Sequence, residues 1–244
     1  MRALSAAELL CVWERGLAQS PAQRSLTLLT MACASQTPDQ LARLSIGQRN
    51  TQLLALREKT FGPRLTSLAD CPACGVSLEL QLTVADVRVT PSVPPQEIIT
   101  LNKDEYEVRF RLPNSLDLAA IPGEADPSEI RGQLLKRCLC AAHRRGREID
   151  VNQLPPGLLA AVVDQMAQAD PQANVQLALG CPQCRHQWQA PLDIASFLWS
   201  EIRAWAGRLL REVHQLASAY GWSEAEILAL TPARRQAYLE MIAL

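Results

Sequence analysis

Two stretches of this chain carry one pattern. The first is Cys71-Pro-Ala-Cys74, running on through Gly75, Val76, Leu78, Leu80, Leu82 and Val84 to Asp86-Val87; the second is Cys181-Pro-Gln-Cys184, running on through Arg185, His186, Trp188 and Ala190 to Asp193-Ile194. Val76 to Val84 alternate apolar with small or polar residues, the period-2 signature of a half-buried strand, and Gln187 to Ala190 reads as another. A Cys-Pro-x-Cys turn lets both sulfurs point to the same side, about one tetrahedral edge apart. Two such knuckles supply the four soft anionic ligands that a structural zinc ion requires, which makes Cys71, Cys74, Cys181 and Cys184 the predicted Zn2+ ligands. The two copies read as halves of one pseudo-symmetric, zinc-ribbon-like module. A clip closing so long a loop removes chain entropy on the order of 4–5 kcal/mol, by analogy with a disulfide.

Other readings of these sulfurs are reduced, buried thiols and a redox pair. Redox C-x-x-C motifs usually open a helix, whose dipole lowers the thiol pKa, and both motifs here lead into strand-like sequence instead. His186 is a spare donor, but four thiolates already fill the tetrahedron. Cys11 and Cys33 fall in helical stripes and read as small core residues. Cys138 and Cys140, two apart in a segment read as helical, do not share a face and are not taken as ligands.

Working outward, the N-terminal third reads as helices. Ser5-Ala-Ala-Glu8 is a capping box, and Ser20-Pro21 and Thr37-Pro38 place a capping oxygen before a proline at the first helical position. A further helix covers about 48–59. Pro91, Pro94 and Pro95 form a connector, and Tyr106, Val108, Phe110 and Leu112 a second alternating strand. Ser115 onward turns helical, Asp126-Pro127 opens a helix to about Ala142, Pro155-Pro156 precedes another, and Val175, Leu177 and Leu179 form a third strand. The longest helical stripe is Ile194, Leu198, Ile202, Trp205, Leu209, Val213, Leu216 and Tyr220, with Asp193 to cap its start and Gly221 its end. Ser223 to Glu226 is a second capping box, and Thr231-Pro232 starts a last helix.

The expected fold class is therefore α+β and mainly helical. A small antiparallel, zinc-ribbon-like sheet is built from the two knuckles, with inserted helices and flanking N- and C-terminal helices. The expected divisions are an N-terminal helical region 1–66, a first ribbon half with strands 67–114, an inserted helical region 115–172, a second ribbon half 173–192 and C-terminal helices 193–244.

Composition narrows the function. Of 244 residues, 48% are hydrophobic and 20% charged, as in a folded globular protein. Lys plus Arg number 24 against 25 for Asp plus Glu, so the charge excess of a duplex binder is missing. No stretch approaches the ~20 apolar residues of a membrane span, and the N-terminus lacks the features of a secretory signal, so the expected compartment is the reducing cytoplasm. His143-Arg-Arg-Gly-Arg147 is a dense basic cluster, read as the solvated end of a helix. Arg234 and Arg235 read the same way. His214 has no triad partner at a suggestive spacing, and phosphate-cradling glycine motifs, nucleophile elbows and H-E-x-x-H are missing. The aromatic residues Trp199, Trp205, Tyr220 and Trp222 are candidate partner-binding anchors. A zinc-ribbon nucleic-acid adaptor is the competing class, although Arg185 stands nearly alone as a charge beside the knuckles. A thiol oxidoreductase is a third.

The segment Arg211 to Leu230, followed by Thr231-Pro-Ala-Arg-Arg-Gln-Ala-Tyr238, is similar to a motif of small proteins from phage tail and contractile injection gene clusters. Arg109-Phe-Arg-Leu-Pro-Asn-Ser-Leu-Asp-Leu118 resembles the strand-to-helix passage of the baseplate hub assembly chaperones and baseplate proteins of T-even-type phages and their relatives. With the knuckles, the likeness spans about residues 71–242. The resemblance implies a non-enzymatic structural or assembly protein, chaperone-like, of a baseplate or hub. Its partners would be baseplate, hub or spike proteins, and it would be cytoplasmic or incorporated into a tail-like particle.

Overall fold

Ser5, Ser20, Thr37 and Ser45 start the first four helices in one way. Each side-chain oxygen accepts the N–H three residues on, and each backbone N–H donates to the Glu or Gln side chain found there. The helices are α1 (Ala6–Gly16), α2 (Pro21–Ala32), α3 (Pro38–Arg43) and α4 (Ile46–Phe61). The computed structural model describes residues 1–90, 96–121 and 126–242. The proline connector at Pro91, Pro94 and Pro95 lies outside them.

Gly62, at φ +87°, ends α4, and the chain turns into the hairpin β1 (Arg64–Asp70) and β2 (Ser77–Thr83), then the short helix α5 (Val84–Val87). A four-stranded antiparallel sheet follows, in the order β3 (Ile99–Lys103), β4 (Tyr106–Phe110), β5 (Leu139–Arg144), β6 (Arg147–Ile149). Between β4 and β5 lie α6 (Ser115–Ala119) and α7 (Pro127–Cys138), and α8 (Pro156–Ala169) comes after β6. The second hairpin is β7 (Gln176–Gly180) and β8 (Gln187–Pro191). The chain ends in α9 (Ile194–Tyr220), α10 (Glu224–Ala229) and α11 (Pro232–Ile242).

The expected helix to Ala142 is shorter. It stops at Cys138, and Leu139 to Arg144 form β5, with Ala142 opposite Val108 and fully enclosed. An alanine-rich run has helical propensity, but pairing with β4 gives its backbone a ladder and its small side chains a buried face. The basic cluster is consequently not a helix end. It is the β5–β6 turn, with Arg145 and Gly146 in left-handed conformations and Arg144 and Arg145 both paired with Glu105.

Among the described residues three apolar cores result. The first joins α1, α2 and α4 to the bases of both hairpins and the first half of α9, through residues such as Leu28, Leu53, Leu65, Val84, Ile194 and Leu198. The second lies between the four-stranded sheet and α8, around Val108, Phe110, Leu158 and Val162. The third holds the second half of α9 against Leu10, Ile227 and Tyr238. At 1.5 Å per residue α9 is about 40 Å long, enough to serve two cores with one stripe.

Polar bonds fasten the sheet unit to the first core. The Gly47 N–H donates to Asp170 Oδ2 at 2.8 Å and Asn50 Nδ2 to the Gln172 carbonyl at 3.2 Å. Gln172 in turn donates to the Val87 carbonyl and accepts the Val89 N–H.

Candidate metal centre

Each knuckle is the tip of a two-stranded hairpin. β1 and β7 end one residue before Cys71 and Cys181, and each of those cysteines donates its N–H across the turn, to the carbonyls of Val76 and His186, both at 2.9 Å. The N–H of Gly75 returns to the Cys71 carbonyl at 2.8 Å, and that of Arg185 to the Cys181 carbonyl at 2.9 Å. The correspondence continues down the strands. Thr83 and Asp193, each twelve residues after the first cysteine of its knuckle, are both helix N-caps, and the residues that follow, Val84 and Ile194, both enter the first core. The sequence repeat is best aligned on these caps rather than on Asp86 and Asp193; Asp86 instead closes the Thr83 capping box.

The two hairpins are thus held together at their bases by the core, and their tips meet. The sulfurs of Cys71, Cys74, Cys181 and Cys184 all lie within 4.8 Å of one another. Two contacts cross from hairpin to hairpin, Cys71 to Cys184 and Cys74 to Cys181, each at 3.6 Å. A tetrahedron with zinc–sulfur bonds of 2.3 Å has edges of about 3.8 Å, whereas a disulfide would bring sulfurs to about 2.0 Å. All four cysteines are free thiols. Cys71 and Cys181 are buried, and Cys74 and Cys184 face solvent.

The local electrostatics suit a shared cation. Backbone N–H groups of Cys184 and Gln183 point at the Cys181 sulfur and hold that thiol down, at about 7. The Val76 N–H pulls Cys74 the same way, but burial and the three neighbouring thiols outweigh it and push that thiol up to about 12. For Cys184 the His186 N–H favours the thiolate, while burial and the Cys181 and Cys71 thiols drive it upward. One sulfur is prepared to carry charge and its neighbours resist adding more, because four thiolates in one place repel unless a cation sits among them. Set, spacing and N–H donors together fit a tetrahedral thiolate metal ion.

The remaining candidates are dispersed. His186 stacks on Trp188 at 6.0 Å rather than joining the sulfurs. Cys33 is buried at the end of α2 in the first core, and Cys138, buried, and Cys140, exposed, lie at the α7–β5 junction, outside the sulfur cluster. Trp199 is an internal side chain at 9% exposure, its ring lying against Gly16 with the Arg24 guanidinium 4.5 Å above it. Trp205 is half-buried between the first and third cores. Tyr220 and Trp222 stack at 4.7 Å, with Tyr238 edge-on to both, at the far end of α9.

One constellation was not legible as such. In the stretch 109–118, Arg111 grips Asp117 through two bonds of 2.6 and 2.8 Å, Arg137 adds a third at 3.1 Å, and Asn114 caps α6. Asp117 is 1% exposed; burial pushes its carboxyl up, but Arg111, the Asn114 N–H and Arg137 prevail and hold it below its ordinary value. The signal was the Arg-Leu-Pro-Asn-Ser-Leu-Asp spacing; Arg137, supplied from twenty residues away, had none.

Among the described residues no helix is long and apolar enough to cross a membrane. Comparison with curated proteins gives no match, and comparison with solved structures gives none. A family model described as T4 bacteriophage base plate protein matches residues 8–199. That span holds both knuckles and the 109–118 passage, and it ends within α9, before the Tyr220–Trp222–Tyr238 cluster. Matching well over half of its length, the chain belongs to the T4 bacteriophage base plate protein family.

Proposed function

We propose that this protein is a non-enzymatic, zinc-clamped structural or assembly component, chaperone-like, of the baseplate or hub of a contractile tail or tail-like injection particle. It acts in the cytoplasm on the assembling particle. The observation that carries the reading is the meeting of four cysteine sulfurs from two distant hairpins in a chain of a baseplate family. In this reading Cys71, Cys74, Cys181 and Cys184 hold one Zn2+, making a zinc-ribbon-like module. The ion supplies a cross-link and no reaction.

The mechanical consequence follows from the topology. The first hairpin grows out of α4 and the second leads into α9, and both bases lie in the first core. Joining their tips fixes the direction in which α9 leaves the body, and with it the C-terminal helices. Tyr220 and Trp222, with Trp205 nearer the body, are the aromatic anchors proposed to meet baseplate, hub or spike proteins. The test is to replace Cys71 and Cys181 with Ser and follow bound metal, thermal stability and particle assembly. Loss of all three is expected; normal particles built with a metal-free variant would overturn the role.

A further inference from the structure

A groove of about 680 Å³ lies where α3 and the start of α4 face α6 and the end of α7. Its chemistry is one-sided. Gln40 and Gln48 line it, and each has its side-chain oxygen turned away to close a capping box, accepting the N–H of Thr37 and of Ser45 at 2.9 Å. The amide nitrogen of each is therefore left as a donor. Gln36 is in the same state, its oxygen accepting from Gln52. Arg43 uses only its Nε on Asp39, and Arg137 only its Nε on Asp117, so both guanidinium forks keep their outer N–H groups unused among the described residues. Asp117, the acid in the wall, has both oxygens consumed by Arg111, Arg137 and the Asn114 N–H. Glu97 is the wall's other carboxylate.

Asn114 has its oxygen engaged as well, by the N–H groups of Leu116 and Asp117, and Gln96 completes the lining amides. The groove thus offers five primary amides, four of them with the oxygen already used, and two arginine forks against one uncommitted acid. We infer that it is a binding site for an acidic, extended polypeptide segment of a partner protein, whose backbone carbonyls meet the amides and whose carboxylates meet Arg43 and Arg137. The buried Asp117 is the positioning residue: gripping Arg137 through Nε, it holds that fork in place before the ligand arrives. A nucleic acid would also bring acceptors, but the lining contains no aromatic ring on which a base could stack, and the chain's net charge is -1.

The test uses the full chain and a fluorescein-labelled hexapeptide of alternating Gly and Glu, read by anisotropy. Q40E and Q48E each retain a residue able to close the capping box, so the fold is kept while a donor becomes a repelling carboxylate. The double variant is expected to weaken peptide binding about tenfold or more with an unchanged unfolding temperature, and R137Q to weaken it independently. Binding that withstands both changes, or no binding of the peptide at low salt, would overturn the site. Tighter capture of an oligothymidylate of equal length would overturn the choice of partner.

Discussion

Gly75 and Arg185 hold the same place in the two knuckles. Each follows the second cysteine, each has a left-handed backbone, φ +73° and +61°, and each returns its N–H to the first cysteine's carbonyl. One knuckle uses the residue suited to that conformation and the other does not. A non-glycine residue there costs about 1–2 kcal/mol, because Cβ crowds its own backbone. A Cβ built on Gly75 meets nothing within 4 Å, so the cost is purely conformational.

Arg185→Gly is therefore expected to stabilise the folded protein by about 1 kcal/mol, and Gly75→Ala to destabilise it by a similar amount. Chemical denaturation of the full chain measures both. Equal and negligible effects would show that the knuckle turns are not strained.

Asp117→Asn removes the charge that two arginines share. Both guanidinium groups reach water, so the loss is set at about 2 kcal/mol, below the 3–5 typical of a fully buried pair. The acid dependence has a definite sign. With its folded pKa held below the ordinary 3.8, Asp117 stabilises the fold fully above that value, and the contribution is lost as pH falls through the lowered folded pKa. An acid titration of unfolding should show that loss in the parent protein and not in the variant.

Asp170 has the opposite sign. Burial raises its carboxyl, partly offset by the Gly47 N–H and Ser45, so the ionised form costs stability above the raised value and the cost is relieved as pH falls through it. Asp170→Asn keeps an oxygen for the Gly47 N–H and is expected to raise the neutral-pH unfolding temperature. Gly47→Ala should do the reverse, by about 1–3 kcal/mol, because its Cβ would lie 2.0 Å from Asp170 Oδ1. Calorimetry of both variants decides; a neutral Gly47→Ala would mean that the turn around Asp170 yields freely.

Gly16→Ala tests the packing of α9 on α1. The added Cβ would meet the Trp199 ring at 2.2 Å, and the expected loss is again about 1–3 kcal/mol, seen as a lower denaturation midpoint.

What could be read from the sequence is what is decided locally. Ser5, Ser20, Thr37, Asp193 and Ser223 are caps in the structure because a cap needs only its next three residues. The stripe from Ile194 to Leu216 is likewise a property of one helix. β1 escaped because its two leucines, Leu65 and Leu68, stand three apart, so no alternation announces it; Leu65 is buried and Leu68 points outward at 72% exposure. β5 escaped because its run of small residues reads as helix, and the strand that buries its alanine face, β4, lies about thirty residues away; the neighbouring β6 is only three residues long. The donor-lined groove and the Gly47–Asp170 bond, which spans 123 residues, exist only once distant elements meet. The metal-binding candidates were an exception among long-range features, since paired Cys-Pro-x-Cys turns advertise their chemistry wherever the chain places them.

Metal content of the natively purified full-length protein, with thiol alkylation before and after a chelator, tests the clamp most directly. The account predicts one zinc per chain, with Cys71, Cys74, Cys181 and Cys184 protected from alkylation until the ion is withdrawn. A folded, metal-free protein whose four knuckle thiols all react at once would contradict it.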